Sequence, residues 1–450
     1  MKRSNAQPDA QDRLAGFVSA FRYGDMPADV RTGAKYRVLD WIGSALAGVR
    51  ETPALVVTGL VREAGGAPQA TLIGGGMKVP VVPAVLANGT IGHVAEFDDG
   101  HTLAMTHPGA VSVPSSLAVA EYAGAGGRDL LTGVVVGYEV MVRLGIAVNP
   151  SHYRFWHTTG TCGTFAAAAA ASSILKLDRQ KVRTALGISG TMAAGLQETF
   201  GTFAKPLNAG HACQSGVLAA LLARKGFSGP GDVLTGDKGF LRATSSDPHP
   251  AALTDGLGGE FFIRTAGYKI YSSCGHTFAP LNALFLLMQG RDLDAEEIEE
   301  IEVATYGVSV DLTGQFKNGT AEQAKFSLPF CLAVALLHKK VSLPEFSAAM
   351  LRDPRIARLA GKITIREDEE MTRRFPGDRM AVVRIRLRDG RVLQESVVKP
   401  AGPPARSVLE EKFLSLAGMQ FDQGRAREIL ESVLRLDEMD TIDPLMKMLM

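Results

Sequence analysis

Two long segments with almost no charge constrain the fold of this chain more than any other feature. Residues 130–148 and 164–175 have helical composition, and neither has enough charged residues to form a solvent-facing side. Helices of this kind are buried nearly all round. A third helix is predicted over residues 30–47, in sequence that is rich in Ala, Gly and Leu from about residue 9 to 253. The sequence therefore predicts a large bundle of helices around a buried core.

After about residue 258 the pattern changes to an alternation of apolar and polar residues, which is typical of half-buried strands. Residues 298–310 and 362–367 alternate in this way, and two further runs flank Asp389-Gly390. An Asp-Gly pair supplies the positive φ angles of a tight turn, so we predict a β-hairpin there. The helices predicted between these strands cover residues 321–338 and 343–351.

These patterns predict a mainly α protein, with a large all-helical bundle domain and a smaller α+β domain. Pro400, Pro403 and Pro404 are typical of a linker, and amphipathic helices are predicted after it over residues 407–417 and 424–434. Because we expect those helices to return to the bundle, the helical domain is predicted to be discontinuous. It covers residues 1–260 and 401–450, and the α+β domain covers residues 261–400.

The composition excludes several classes of partner. A net charge of +1 over 450 residues leaves no overall field for nucleic acid or an anionic membrane. The first residues are polar and lack the apolar core of a signal peptide, and Glu139 and Arg143 interrupt the most apolar segment. We expect a soluble, cytoplasmic protein that binds a small molecule.

The cysteines argue against several kinds of site. They lie more than fifty residues apart without a CxxC pair, which argues against zinc ribbons and iron–sulfur clusters, and we expect buried free thiols. Cys274 lies beside His276, but no third residue is evident to orient the two as nucleophile and base. The four positions are Cys162, Cys213, Cys274 and Cys331.

The segment over residues 88–114 is dense in titratable side chains. It contains three histidines and three carboxylates, although neighbouring acids repel each other and buried charges need partners. A helix predicted over residues 84–97, with a stop at Gly100, would place Asp98 and Asp99 in its final turn. Acids at the negative end of a helix dipole need a compensating cation, ligand or proton, which favours a functional site. Two exposed acids on a surface loop are the alternative.

Two further loops offer proton donors and acceptors. Pro108 restricts His107 to an extended conformation and ends any helix before it, so the imidazole projects from a fixed loop. Tyr153 and His157 lie four residues apart beside Trp156, and an imidazole exchanges protons near neutral pH. The alternatives are a structural His107 and, for the other pair, ordinary hydrogen bonds in a loop held by its aromatic residues.

Candidate cations for binding an anionic substrate lie in two places. Lys205 precedes Pro206 just upstream of a helix predicted over residues 209–225, and a lysine together with a helix N-terminus favours an anion. Lys269 and His276 lie at the entry to the predicted smaller domain, where they would complete a cleft. A surface lysine and a junction held by ordinary hydrogen bonds are the respective alternatives.

Five blocks of sequence follow one another along nearly the whole chain. They are NGTIGHVAEFDDGH…HPGAVSVPSSLAVAE, GYEVMVRLG, WHTTGTCGTFAAAAAASSILKLD, FGTFAKPLNAGHACQSGVLAALLARKGFSGP, and YKIYSSCGHTFAPLNA followed by EQAKFSLPFCLAVALL. In order and spacing they resemble the MmgE/PrpD family, which includes 2-methylcitrate dehydratase, cis-aconitate decarboxylase and iminodisuccinate epimerase.

The resemblance implies a large all-helical domain joined to a small α+β lid domain, a homodimer, and a substrate pocket between the two domains. It also implies catalysis without a metal or an organic cofactor. Carried over position by position, the family's pocket residues fall on Asp98, Asp99, His107, Tyr153, His157, Lys205 and His276.

Two positions depart from the family pattern. Many relatives have a threonine where this chain has Gly100, and a histidine where it has Phe278. The missing hydroxyl argues against assuming 2-methylcitrate or cis-aconitate as the substrate, and the missing imidazole favours a less polar one.

The activities that the resemblance implies share one step, in which a proton or carbon dioxide leaves next to a carboxylate and cations stabilise the carbanion character. We expect Lys205 to hold the substrate carboxylate, with Lys269 and Arg143 as helpers. The groups expected to move or orient protons are Asp98, Asp99, His107, Tyr153, His157 and His276. The sequence thus predicts a cofactor-independent, dehydratase-like lyase acting on a small hydroxylated di- or tricarboxylate. The alternatives are an epimerase, isomerase or decarboxylase acting on a related dicarboxylate, with a non-catalytic binding protein less favoured.

Overall fold

The structure is a computed structural model that describes residues 9–291, 293–398 and 404–450. The chain divides into two compact units. Residues 1–8 and, within the predicted linker, Pro400 and Pro403 lie outside the described residues. The helical unit consists of Met1–Thr199, Ala204–Tyr268 and Ala405–Met450, and the mixed unit of Phe200–Phe203 and Lys269–Pro404.

The helical unit contains several helices that are largely buried. The three long helices predicted from the sequence are all present, with ends a few residues from the predicted ones. A small antiparallel sheet, β1 (Ala70–Leu72) and β2 (Met77–Val79), lies between the third and fourth helices. The helices that precede the mixed unit are α1 (Ala10–Ala20), α2 (Ala28–Gly48), α3 (Thr52–Ala64), α4 (Val81–Val94), α5 (Pro108–Ala123), α6 (Gly127–Val148), α7 (Thr158–Ile174), α8 (Arg179–Ser189), α9 (Ala204–Arg224) and α10 (Phe240–Thr244).

Helix α7 packs against α5, α6 and α9. Every residue of α7 is buried, and its run of alanines has side chains small enough to let the neighbouring helices approach closely. Helix α6 is long and apolar enough to cross a membrane by length and composition, yet 94% of its most apolar window is buried inside the protein. That burial agrees with the core position predicted for it.

The mixed unit contains a four-stranded sheet made of β3 (Ile298–Thr305), β4 (Ile363–Glu367), β5 (Ala381–Leu387) and β6 (Val392–Val397). The strand order is β4-β3-β5-β6, with β3 parallel to β4 and the other two pairs antiparallel. The hairpin predicted at Asp389-Gly390 joins β5 to β6, and Gly390 has the positive φ of 88° that the turn requires. The mainly α fold class with a smaller α+β part is thus confirmed.

The helices of the mixed unit are α11 (Phe278–Met288), α12 (Gly307–Thr313), α13 (Ala321–Lys325), α14 (Leu328–His338), α15 (Ala348–Leu351), α16 (Pro354–Ala360) and α17 (Glu369–Arg374). The strand predicted over residues 298–310 is wrong in its second half. The backbone N–H of Gly307 donates to the Thr372 hydroxyl at 2.8 Å instead of continuing the sheet, and α12 begins there.

The single helix predicted over residues 321–338 is also wrong, because it is divided into α13 and α14. Ser327 ends the first helix and caps the second by accepting a hydrogen bond from the N–H of Phe330 at 3.3 Å. The helix predicted over residues 343–351 is a 3₁₀ turn, Leu343–Phe346, followed by α15.

Three helices follow the mixed unit and belong to the helical unit: α18 (Arg406–Ala417), α19 (Gln423–Leu434) and α20 (Asp443–Met448). The first two confirm the amphipathic helices predicted there. Helix α18 packs against α2, where the ring of Phe413 lies close to Gly43. All four cysteines lie in the described part of the chain, are buried and form no disulfide.

Candidate active site

The acidic segment follows α4 rather than ending it. Helix α4 stops at Val94, and Glu96 adopts a left-handed φ of 56° that prevents the helix from continuing. The prediction that Asp98 and Asp99 lie in a final helical turn is therefore wrong. Both acids lie in the loop after the helix, and both are buried. The alternative of two exposed acids on a surface loop is excluded as well.

Asp98 contacts two histidines. Its Oδ2 lies 2.7 Å from His93 Nδ1 and 3.4 Å from His107 Nδ1. The ring centroids of His93 and His107 are 4.9 Å apart. The ring of His157 stacks on that of His93, with 5.7 Å between the centroids and 17° between the ring planes. We call His93, Asp98, His107 and His157 the histidine cluster. It lies entirely within the helical unit.

His93 is the member of the cluster that the sequence analysis did not single out. The dense titratable segment contained the signal, but His93 lies inside a predicted apolar helix, where a buried structural histidine is the ordinary interpretation. Donor atoms of His93, Asp98 and His107 lie within 4.8 Å of one another, a spacing that a divalent ion could bridge. The hydrogen bond between His93 and Asp98 explains their proximity without an ion.

Asp99 faces a different set of partners. Its Oδ1 accepts the backbone N–H of Gly109 at 2.8 Å, and its Oδ2 accepts the Tyr138 hydroxyl at 2.6 Å. The guanidinium of Arg37 lies 3.4 Å from Oδ2. Burial raises the pKa of Asp99 to about 6, although Arg37 and Tyr138 act in the opposite direction.

His107 lies at the N-terminus of α5, immediately before Pro108, whereas the sequence predicted only a fixed loop at this position. Its backbone N–H donates to the Thr159 hydroxyl at 3.1 Å, and its Nδ1 lies 2.6 Å from the carbonyl oxygen of Asp99. The side chain is 20% exposed, whereas those of His93 and Asp98 are fully buried. The backbone N–H and Nδ1 of His107 are thus held by hydrogen bonds, while part of its side chain remains exposed.

His157 lies at the N-terminus of α7, where its backbone N–H donates to the carbonyl of Gly195 at 3.0 Å. The Asn208 amide nitrogen lies 3.2 Å from His157 Nδ1 and also donates to Thr199. Because an amide nitrogen can only donate, Nδ1 is the acceptor, and a neutral His157 carries its proton on Nε2. Tyr153 lies in a 3₁₀ turn, Ser151–Arg154, where its carbonyl accepts the Gln197 side-chain amide at 2.5 Å.

Lys205 lies in the first turn of α9, not upstream of the helix as predicted, since α9 begins at Ala204. The lysine is buried and forms an ion pair with Glu96. A buried ammonium needs such a counter-charge. The surface-lysine alternative is therefore wrong, and Glu96 is a further member of the site that the sequence analysis did not assign.

Lys412 connects helix α18, which follows the mixed unit, to the acidic segment. Its ammonium donates to the carbonyl of Phe97 at 2.9 Å and to Asp40 at 2.6 Å. The side chain of Lys412 is mostly buried. The backbone just before Asp98 is therefore held by a residue from the end of the chain.

Arg143 is fully buried and faces Glu139, 3.2 Å away. It also donates to the Asp255 carbonyl at 2.5 Å and lies over the ring of Phe262 at 5.1 Å. These contacts attach the segment around Phe262 to α6, which favours a structural role. The predicted help from Arg143 in substrate binding stays a prediction.

His101 has a structural role in the same loop. Its Nδ1 accepts the backbone N–H of Ala104 at 3.2 Å, and its Nε2 lies 3.0 Å from the Thr265 hydroxyl. Gly100, next to it, pairs with Gly267 through two backbone hydrogen bonds. A Cβ at Gly100 would lie 3.7 Å from His107 Nδ1, so the missing side chain leaves space beside that ring.

The mixed unit contains a separate cationic cluster, made of Lys269, His276, Tyr306 and Arg379. His276 Nδ1 lies 2.9 Å from the Tyr306 hydroxyl. Burial lowers the pKa of His276 well below its usual value, and the positive charges of Arg379 and Lys269 lower it further. His276 is therefore neutral near pH 7. Arg379 is a residue that the sequence analysis missed.

Two family models match most of this chain. Models of the MmgE/PrpD N-terminal domain and C-terminal domain match residues 12–252 and 271–438, respectively. This chain belongs to the MmgE/PrpD family. The predicted resemblance is confirmed.

Relatives within the MmgE/PrpD family have more than one activity. Cis-aconitate decarboxylase of Aspergillus terreus is 29% identical over 99% of this chain and 97% of its own length. Cis-aconitate decarboxylase of Homo sapiens is 25% identical over 81% of this chain and 78% of its own length. The mitochondrial 2-methylcitrate dehydratase of Yarrowia lipolytica is 24% identical over 95% of this chain and 87% of its own length.

Proposed function

We propose that this MmgE/PrpD protein is a lyase that acts next to a carboxylate of a small di- or tricarboxylate. Decarboxylation of cis-aconitate or a close analogue is the first activity to test. The sequence alone placed dehydration first. The decarboxylases at 25% and 29% identity move decarboxylation ahead of it.

The observation that carries the proposal is the histidine cluster on a buried carboxylate. His93 and His107 both face Asp98 Oδ2, and the stacked ring of His157 extends the row. A carboxylate beside an imidazole stabilises the protonated ring, so the cluster can hold a proton and deliver it. His107, whose ring is partly exposed, is the member placed to exchange that proton with a substrate.

Decarboxylation at such a site needs one cation and one proton donor. When the bond to carbon dioxide breaks, its electron pair stays on carbon and spreads into the adjoining unsaturated carboxylate. Lys205 would hold a substrate carboxylate and stabilise this charge, with Glu96 as its counter-ion in the free protein. A protonated histidine of the cluster then protonates the carbon and is reprotonated from water, which balances the reaction.

Dehydration is the second candidate, because one relative is a 2-methylcitrate dehydratase. In that reaction a base removes a proton next to a carboxylate, and a hydroxyl group leaves as water after protonation. Two histidines in one cluster would divide these roles.

The test is a screen of cis-aconitate, 2-methylcitrate and related acids with the purified protein. Release of carbon dioxide supports decarboxylation, a new conjugated double bond seen by absorbance supports dehydration, and exchange of the α-hydrogen in deuterated water without either supports an epimerase. A protein that binds these acids without any of the three reactions would contradict the proposal.

Two variants test the site once a substrate is found. His157→Ala is expected to lower turnover while the fold is retained. Lys205→Ala is expected to lower turnover as well, and because it removes the ion-pair partner of the buried Glu96, the double variant Glu96→Gln/Lys205→Ala is measured beside it. Matched controls are Lys225→Ala and His249→Ala, which change exposed residues of the same types in the same unit. Equal losses in a variant and its control would contradict the assignment.

A further inference from the structure

Asp99 and Asp98 are adjacent in sequence, yet they contact different groups. Asp98 faces the rings of His93 and His107. Both side-chain oxygens of Asp99 instead accept hydrogen bonds, one from the backbone N–H of Gly109 and one from the Tyr138 hydroxyl. We infer that Asp99 is a positioning residue rather than a catalytic one, and that Tyr138 and Arg37 act through it to hold His107 with Nε2 as its reactive nitrogen. The inference rests on the proposed function and assigns roles within that site.

The contacts of His107 decide which nitrogen carries the proton. Nδ1 lies 2.6 Å from the Asp99 carbonyl oxygen and 3.4 Å from Asp98 Oδ2. Both neighbours are acceptors, so Nδ1 is the protonated nitrogen in the neutral ring. Nε2 is then the nitrogen that accepts or returns the substrate proton.

Asp99 fixes this arrangement at three atoms. Its carbonyl oxygen accepts from His107, while Oδ1 accepts the N–H of Gly109, two residues further along. Oδ2 accepts from Tyr138 on helix α6. The first turn of α5 and the ring of His107 are thus attached to one residue, which is itself attached to a core helix.

Gly109 allows the close approach. A Cβ at this position would lie 2.8 Å from Asp99 Oδ1 and 2.9 Å from the Tyr138 hydroxyl, closer than Cβ atoms approach such groups in proteins. Because the glycine has no side chain, the carboxylate and the hydroxyl both pack against the start of α5.

Arg37 supplies the positive charge that balances the carboxylate of Asp99. Its guanidinium is buried and lies 3.4 Å from Asp99 Oδ2. It also donates to the carbonyl of Ala266 and stacks over the ring of Tyr268 at 3.7 Å. These contacts fix the guanidinium, so Asp99 faces a fixed positive charge instead of a mobile one.

The first test is Tyr138→Phe, with Tyr36→Phe as its matched control. Both changes remove one hydroxyl that donates to a carboxylate in the helical unit, but Tyr36 donates to Glu410 at 2.5 Å rather than to Asp99 or to a member of the histidine cluster. We expect Tyr138→Phe to lower kcat by up to about 10²-fold, because small misplacement of a catalytic group has effects of that size. KM should stay within about twofold and Tyr36→Phe should leave both constants unchanged. An unchanged kcat in Tyr138→Phe, or a change confined to KM, would overturn the inference.

The second test does not depend on turnover. Nitrogen NMR of histidine-labelled protein, with the His107 signal assigned by its loss in His107→Gln, reports which ring nitrogen carries the proton. We expect Nδ1–H in the neutral wild-type ring, and a mixed population in Tyr138→Phe and in Asp99→Asn. A ring protonated at Nε2 in the wild type would overturn the inference, even if the lyase activity is found. A protonated Nδ1 in a protein without turnover would support the positioning while the proposed function fails.

Discussion

The histidine cluster of the helical unit and the cationic cluster of the mixed unit each bury an imidazole, but their charged neighbours have opposite signs. His93 and His107 face the carboxylate of Asp98, whereas His276 lies near Arg379 and Lys269. A carboxylate favours a protonated ring, and cations together with burial favour a neutral one. Burial alone therefore does not assign a role to a histidine. The surroundings of the histidine cluster favour proton transfer, and those of the cationic cluster favour binding of an anion.

The largest effect is expected for His107→Gln. Loss of the group that exchanges the proton should lower kcat by about 10²- to 10⁴-fold, since general acid–base contacts contribute that much. Steady-state kinetics on the substrate found by the screen would measure it. If His107→Gln raises KM and leaves kcat unchanged, the histidine cluster binds the substrate rather than transferring a proton, and the difference between the two clusters is contradicted.

Arg143→Met tests whether a third buried charge belongs to either cluster. Removing Arg143 leaves Glu139 buried without its ion-pair partner, and we expect a loss of about 3–5 kcal/mol in the free energy of unfolding. Urea unfolding measures this loss, and the double variant Glu139→Gln/Arg143→Met should recover part of it. A stable Arg143→Met protein with a raised KM would restore the substrate-binding role predicted from the sequence.

The pH dependence of the free energy of unfolding tests the raised pKa of Asp99 in the helical unit. Its pKa is raised from 3.8 to about 6, so its contribution to stability is present below pH 3.8 and is lost as the pH rises through 6. Across that interval the wild type should lose up to about 3 kcal/mol relative to Asp99→Asn, from a shift of about two units. Chemical unfolding at several pH values measures the difference.

Asp178 is a control of opposite sign for that experiment. It caps α8 and accepts from the N–H of Lys181, which lowers its pKa. The stabilising contribution of Asp178 is therefore present at neutral pH and lost as the pH falls. If Asp99→Asn and Asp178→Asn show the same pH trend, the raised pKa of Asp99 is contradicted.

The smallest effect is expected in the mixed unit. Lys269→Ala should raise KM about tenfold, the size of one charge-assisted hydrogen bond to an anion, and change kcat little. Lys340→Ala removes an exposed lysine of the same unit and serves as the control. A fall in kcat without a change in KM would show that the cationic cluster does more than hold an anion.

Local patterns in the sequence predicted the elements whose cause is local. The apolar helices α6 and α7 and the hairpin at Gly390 follow from residues within one segment. The end of β3 was missed because the group that takes the N–H of Gly307 is Thr372, far along the chain. The alternation of apolar and polar residues within one segment contains no information about a partner so distant in sequence.

The same limit applies to the site. Asp98 and His107 were found because they share one short segment. Tyr138 and Arg37 were missed because a tyrosine and an arginine inside helical sequence show no sign that they contact Asp99. Sequence spacing suggests which residues are chemically capable, and only the fold shows which of them hold the others in place.

The reach of Lys412 from α18 to the carbonyl of Phe97 has a consequence for how the protein is made. The loop next to Asp98 is synthesised early, but the ammonium group that fixes it leaves the ribosome only with the last helices. A nascent or truncated chain lacking α18 therefore carries every histidine of the cluster, while the loop that contains Asp98 lacks its contact with Lys412. Synthesis through α18 is therefore needed before the loop next to Asp98 is held as it is in the full chain.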